Sequence, residues 1–284
     1  MECGIIAGIR KKKPLIHCIT NYVTANDVAN IILAAGGSAV MADGEREVED
    51  VTSICQGLVI NMGTLKEETI PAMIKAGKKA AALGHPIVFD PVGAGASYFR
   101  TESCRKVFEE VRVSLVRGNV SEIRALAGVA GQLGTMGVDA SGKDRVTEEN
   151  LRENIRFAED FAVKHGIMVL MTGHIDIATD GKRTFLVRNG TPLMTRITGA
   201  GCMLDGLAAV FLAASPDKKD IFAAALAAAA EGYCGEQAEK KIQEEEKRFP
   251  DYPAGTGSFR VYLIDKISRL SDNELKEGIK IEDC

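Results

Sequence analysis

The sequence predicts an α/β fold, a three-layer α/β/α arrangement in which a mainly parallel sheet carries helices on both faces. Short apolar runs recur, each separated from the next by a longer segment with helical periodicity, the alternation expected of βα units. Polar residues and glycines gather at the carboxyl end of these runs. A helix of about 14 residues spans roughly 21 Å and a strand of six roughly 20 Å, so the layers match in length.

Taken in order, strands are predicted at 38–41, 57–62, 86–90, 114–118, 167–172, 175–179 and 184–188. Before them, His17 and Cys18 lie on an extended segment, where adjacent side chains point to opposite faces, so they form no dyad. The second run ends in Asn61-Met62-Gly63-Thr64. Thr69 then opens a helix with Pro71 in its first turn and Met73, Ile74, Gly77, Ala80 and Ala81 along one side. The next run ends in Asp90-Pro91, where the proline holds Asp90 extended and keeps its carboxylate at the strand edge. Arg117-Gly118-Asn119 closes the fourth, and Glu122 falls in the first turn of the helix that follows. Thr147 opens another helix, with Leu151, Ile155, Ala158 and Ala162 on one stripe and His165-Gly166 at its end. The fifth run ends in Thr172-Gly173, residues 203–214 read as a buried helix, and the charged run 236–248 reads as a solvated one. The polar loop near 131–146 is too short to separate two cores, so residues 1–284 are expected to form one domain.

Composition excludes several classes. Hydrophobic residues make up 46% and charged residues 26% of the 284 residues, which fits neither a disordered chain nor a fibre. Lys plus Arg is 35 against 39 for Asp plus Glu, a formal charge of −4, so no nucleic-acid partner is expected. The cysteines, 7 in number, contain no C-x-x-C pair, which points to a reducing compartment rather than a disulfide framework or zinc site. The longest apolar run, 221–230, is about half the roughly 20 residues that span a bilayer, and the basic run Arg10-Lys11-Lys12-Lys13 follows the N-terminal apolar stretch instead of preceding it. A cytoplasmic, membrane-free protein is expected.

The strongest chemical signal is Thr198-Gly199-Ala200-Gly201-Cys202 ahead of the 203–214 helix. Glycines let a phosphate approach the backbone, free N–H groups donate to its oxygens, and the helix dipole favours negative charge. A tight loop into a core helix explains a lone G-x-G equally well, but it does not require a thiol. At a helix N-terminus Cys202 should have its pKa lowered from about 8.5, making it a candidate base or nucleophile. Asp90 and Glu122, at neighbouring strand ends, could together hold Mg²⁺ with phosphate oxygens and waters; separately, each reads as a turn residue or helix starter. Arg117 can grip a phosphate bidentately or be a plain strand-end charge. His85, His165 and His174 read as structural.

In the same order, residues 14–24, 39–43, Asn61-Met62-Gly63, 90–95, Arg117-Gly118-Asn119 with Glu122, Thr172-Gly173, Thr198 through Cys202 and Gly257-Ser258-Phe259 resemble the hydroxyethylthiazole kinases of thiamin salvage, members of the ribokinase-like superfamily. The resemblance implies transfer of the ATP γ-phosphoryl group to the hydroxyl of 4-methyl-5-(2-hydroxyethyl)thiazole, in a homotrimer with active sites between subunits. It also implies that Met41 and Gly199 contact the thiazole, that Asn21 lies at the same subunit junction, and that Arg117 and Thr172 bind ATP. Asp90 and Glu122 would organise Mg²⁺, and Gly199, Ala200, Gly201 and Cys202 would form an anion hole with Cys202 as the base. The wider superfamily usually carries Asp where Cys202 stands.

Three other readings make distinct demands. A Rossmann dehydrogenase could use Gly93-Ala94-Gly95 or Gly199-Ala200-Gly201, but both lack the third glycine. A cysteine hydrolase would need a histidine placed to activate Cys202. A binding protein would take the thiazole without releasing ADP, and a related kinase would act on another heterocyclic alcohol, a pyrimidine or pyridine.

Overall fold

The structure is a computed structural model that describes residues 4–128, 146–251 and 254–284. Residues 131–145 of the polar loop, and Cys3, lie outside the described residues. The strands are β1 (Leu15–Ile19), β2 (Ser38–Met41), β3 (Gly57–Asn61), β4 (Ile87–Asp90), β5 (Leu115–Asn119), β6 (Met168–Thr172), β7 (Asp176–Thr179), β8 (Thr184–Val187) and β9 (Ile281–Asp283). They form one nine-stranded sheet in the order β2-β1-β3-β4-β5-β6-β7-β8-β9. Pairing is parallel from β2 through β6 and antiparallel from β6 to β9.

The seven strands predicted from sequence are all present, and two further strands join them. β1 enters the sheet between β2 and β3, with both ring nitrogens of His17 partnered inside the protein: Nδ1 lies 2.9 Å from the Thr52 hydroxyl and Nε2 2.8 Å from the Ala42 carbonyl. These bonds satisfy a polar side chain within an otherwise apolar strand, the pattern that hides such a strand from a hydropathy reading. β9 is a three-residue edge strand ending in Glu282 and Asp283, with no apolar alternation to announce it.

Helices cover both faces. On one lie α1 (Ile5–Lys12), α2 (Ala25–Ala35), α8 (Ala200–Ala214), α9 (Ile221–Arg248), α10 (Thr256–Arg269) and α11 (Asp272–Gly278); on the other lie α3 (Val48–Ile54), α4 (Thr69–Ala82), α5 (Tyr98–Glu110), α6 (Val120–Leu126) and α7 (Leu151–His165). α7 starts at Leu151, and Thr147 instead opens the turn before it, donating its N–H to the Asn150 side chain at 2.8 Å. His165 caps an aromatic stack with Phe108 and Phe161, its ring 4.7 Å from that of Phe161, which is a packing role. The run 236–248 forms the largely exposed end of α9.

α8 positions the site. Every residue from Met203 to Ala214 is buried, as expected of a helix that is apolar on all sides. The exception in chemistry is Asp205, fully buried in that helix. A carboxylate in such surroundings is tolerated only where partners meet it, and the strand ends supply them.

Candidate functional site

Side-chain alternation along the strands decides which polar groups meet α8. In β3, Val59 packs into the core on the α8 side and Ile60 into the opposite core, so Asn61 returns to the α8 side. The same count places Asp90 beyond Val88, Arg117 beyond Leu115 and Thr172 beyond Leu170 on that side. Register sets Asn61 beside Asp90, and Thr172 beside Asn119, two residues beyond Arg117. Four neighbouring parallel strands thus deliver an amide, a carboxylate, a guanidinium and a hydroxyl to one edge, where loops and helix N-termini converge.

Hydrogen bonds knit these groups to α8. The Asn61 amide donates to Asp90 Oδ2 at 3.0 Å and Asp205 Oδ2 at 2.9 Å, and reaches Cys202 Sγ at 3.5 Å. Asn21, just after β1, donates to Asn61 Oδ1 at 3.0 Å and to Cys202 Sγ at 3.3 Å. Arg117 donates to Asp90 Oδ2 at 3.1 Å and to the Thr172 hydroxyl at 3.2 Å, while its Nε stands 4.0 Å from Asp205 Oδ1. Arg117 is therefore not a plain exposed strand-end charge: its side chain is 14% exposed and bound into this network.

Gly199 adopts the left-handed conformation at φ 88°, turning the chain into α8; a Cβ there would also press on Thr24. At Gly201 a Cβ would come within 2.5 Å of both terminal nitrogens of Arg117. Glycine lets the guanidinium lie directly against the turn. Met203 returns its N–H to the Gly199 carbonyl at 2.8 Å, so the N–H groups of Ala200, Gly201 and Cys202 precede the first helical hydrogen bond.

Electrostatics differ from the sequence expectation at Cys202. Burial, together with the Asp205 and Asp90 carboxylates, pushes the thiol up to about 11, so the helix N-terminus does not lower it. Burial and the neighbouring Asp205 hold Asp90 well above the ordinary carboxylate range, and burial raises Asp205 to about 6. Arg117 is buried too, which opposes its charge, yet Asp90 and Asp205 keep it firmly protonated.

Glu122 has a different environment. Its Oε1 accepts from the Gly93 N–H at 2.8 Å and its Oε2 from the Asn119 N–H at 2.9 Å, completing a capping box at the start of α6. Burial and Asp90 raise its pKa to about 7. Met41 ends the edge strand β2, opposite Cys18, and is 40% exposed.

Asp205 escaped the sequence reading, and Asn61 was seen only as part of a strand end. Asp205 could have been found as the one charged residue within the apolar stretch 203–214, three positions after Cys202 and so on the same helix face. Among the described residues, one carboxylate oxygen each from Asp90 and Asp205 and Sγ of Cys202 lie within 4.8 Å of one another. Asp90 Oδ1 accepts no N–H or O–H from another residue type among the described residues, and the Asp90 and Asp205 carboxyls pair with each other through a proton; a cation that replaces that proton would meet Asp90 oxygen, the donor type that fits Mg²⁺.

Known proteins share this frame. A hydroxyethylthiazole kinase from Clostridium acetobutylicum is 44% identical over 277 residues, covering 98% of this chain and 97% of its own length. The structure of a hydroxyethylthiazole kinase protein from Pyrococcus horikoshii OT3 superposes with a TM-score of 0.83 at 34% identity, over 99% of this chain and 98% of that one. A ribokinase-like superfamily protein from Enterococcus faecalis shares the fold at a TM-score of 0.60 and 14% identity, over 96% of each chain. The profile of the Hydroxyethylthiazole kinase family matches residues 6–273. The chain belongs to the hydroxyethylthiazole kinase family.

Proposed function

We propose that this kinase transfers the γ-phosphoryl group of ATP to the hydroxyl of 4-methyl-5-(2-hydroxyethyl)thiazole. The observation that carries the reading is the seating of the Arg117 guanidinium against Gly201, which brings a cation, free backbone N–H groups and a helix N-terminus to one point. In phosphoryl transfer the transition state is loose, so positioning and charge neutralisation supply most of the catalysis. The N–H groups of Ala200, Gly201 and Cys202 receive the equatorial oxygens of the moving group, and Arg117 and Thr172 bind the nucleotide phosphates. Asp90 and Glu122 would hold Mg²⁺, Glu122 with both of its oxygens already accepting backbone N–H groups. Mg²⁺, when bound, supplies charge neutralisation at the phosphates.

Cys202 acts as base only as its thiolate: its own thiol proton first passes to water, and the sulfur then accepts the proton of the acceptor hydroxyl late in the reaction, when little basicity is needed. Asn21 and Asn61 orient the sulfur. Gly199 and Met41 line the thiazole site. Tyr22, Val23 and Met41 are exposed at the carboxyl ends of β1 and β2, an apolar seat on which a second subunit of a homotrimer completes that site. A cytoplasmic location is part of this reading; among the described residues no helix is long and apolar enough to cross a membrane.

ADP release measured with Mg-ATP and a panel of heterocyclic alcohols tests the reading. Turnover is expected to be fastest with the hydroxyethyl thiazole. Faster turnover of a pyrimidine or pyridine alcohol would reassign the acceptor, and thiazole binding without ADP release would remove the activity.

A further inference from the structure

The chain leaves β3 through a strained turn. Among the described residues, two that are not glycine sit in the left-handed region, Lys13 at φ 48° and Thr64 at φ 41°. Lys13 closes α1 and donates its N–H to the Ile9 carbonyl, which is an ordinary way for a helix to end. Thr64 caps no helix. Its Cβ is branched, and branched side chains are among the least tolerant of that region, so surrounding contacts must hold it there.

Those contacts lead to the reaction centre. The Thr64 hydroxyl accepts the Tyr22 N–H at 3.3 Å, and that N–H belongs to the peptide joining Asn21 to Tyr22. Gly63 donates its N–H to Asn61 Oδ1 at 3.0 Å and lies so near Asn21 that a Cβ would come within 2.8 Å of the Asn21 Cβ and 2.9 Å of its Nδ2. One turn thus grips the main chain of Asn21 and backs its side chain. Asn21 Oδ1 accepts the Thr24 N–H at 3.0 Å, which turns the amide so that Nδ2 donates to Cys202 Sγ at 3.3 Å. The Tyr22 ring is 72% exposed, so its burial does not anchor this segment within the chain.

We propose that Thr64 is a positioning residue for phosphoryl transfer: its hydroxyl, carried on a left-handed backbone, sets the Asn21 amide that holds the Cys202 sulfur. Glycine would relax the turn but would present no hydroxyl to the Tyr22 N–H. The strain at Thr64 is what aims that oxygen. This inference rests on the reading of Asn21 and Cys202 as parts of the reaction centre, and Thr64 acts through Asn21.

The test compares full-length T64A, T64G and T64S with wild type by steady-state kinetics on Mg-ATP and the hydroxyethyl thiazole, and by urea unfolding. Loss of the hydroxyl should lower kcat by about tenfold or more in T64A and T64G, since a misplacement of the order of 1 Å at a reaction centre costs up to roughly 10²-fold. T64S keeps the hydroxyl and should turn over close to wild type. Glycine takes the left-handed region without a Cβ, so T64G should unfold at higher urea than T64A and yet be no faster. A merely structural Thr64 would instead make kcat follow stability. In an N21A background T64A should change kcat little, because the amide it positions is gone. The proposal is overturned by wild-type kcat in T64A, by T64S as slow as T64A, by T64G faster than T64A in step with its unfolding midpoint, or by N21A and T64A losses that multiply in the double variant. Wild-type kcat in N21A would overturn the reading of Asn21 together with this inference, so the two failures are distinguishable.

Discussion

Glu122 and the Asp90–Asp205 pair are buried carboxylates on the same edge of the sheet, but their oxygens are used in opposite ways. Both Glu122 oxygens accept backbone N–H groups, tying α6 to the Gly93 turn. Asp90 and Asp205 instead pair with each other through a proton and lie against a single guanidinium. A carboxylate bound to backbone N–H groups fixes the frame that carries the site, whereas a carboxyl pair that shares a proton beside a guanidinium can exchange that proton for another positive charge. Glu122 therefore ties the frame together as well as serving Mg²⁺, whereas the Asp90–Asp205 pair serves the chemistry, and substitutions can separate the two.

The largest effect is expected at Arg117. Arg117→Met removes the cation that faces the turn and leaves two carboxylates unpaired, so kcat should fall by roughly 10³–10⁵-fold, with a stability loss of about 3–5 kcal/mol. Steady-state kinetics and urea unfolding check both. A kcat within tenfold of wild type would break the contrast, because the guanidinium would then be structural. Cys202→Ala should lower kcat by about 10²–10⁴-fold without a matching loss of stability, and Cys202→Asp should remain active. Wild-type turnover in Cys202→Ala would remove the sulfur from the reaction.

On the other side of the comparison, Glu122→Gln places an amide N–H₂ against a backbone donor and should cost about 1–3 kcal/mol in urea unfolding. A stability change near zero would show that the capping box is not what holds the Gly93 turn. The smallest effect sharpens the meaning of an unpartnered oxygen. Glu231, in the apolar first half of α9, has a buried oxygen with no partner among the described residues, and burial raises it to about 8, with Arg117 opposing. Because its folded pKa lies above the ordinary 4.5, its contribution to stability is present at low pH and is lost as pH rises from about 4.5 through about 8. Thermal unfolding of Glu231→Gln should therefore show a shallower decline over that window than wild type, and parallel curves would contradict the assignment.

Much of the fold was legible because alternating runs of apolar residues and helical stripes are local signals, and the predicted strands fall within a residue or two of their places. β1 was harder to read because the partners that neutralise His17, Thr52 and the Ala42 carbonyl, are remote in sequence. The strand-end residues Asp90, Arg117 and Thr172 were readable as a group, since parallel strands carry their carboxyl ends to one edge. The thiol's acidity was not. The helix N-terminus is visible in sequence, but the burial and the two carboxylates that outweigh it at Cys202 arise only from packing. Asp205 was hidden for a related reason: a charge inside an apolar helix reads as an exposed point until Asn61 and Arg117 are seen to meet it.

A crystal structure with Mg²⁺, a non-hydrolysable ATP analogue and the hydroxyethyl thiazole tests the central claim most directly. The account predicts the γ-phosphate against the N–H groups of Ala200, Gly201 and Cys202, with Arg117 beside it and the acceptor hydroxyl at Cys202 Sγ. A polyphosphate chain bound elsewhere, with that turn uncontacted, would contradict it.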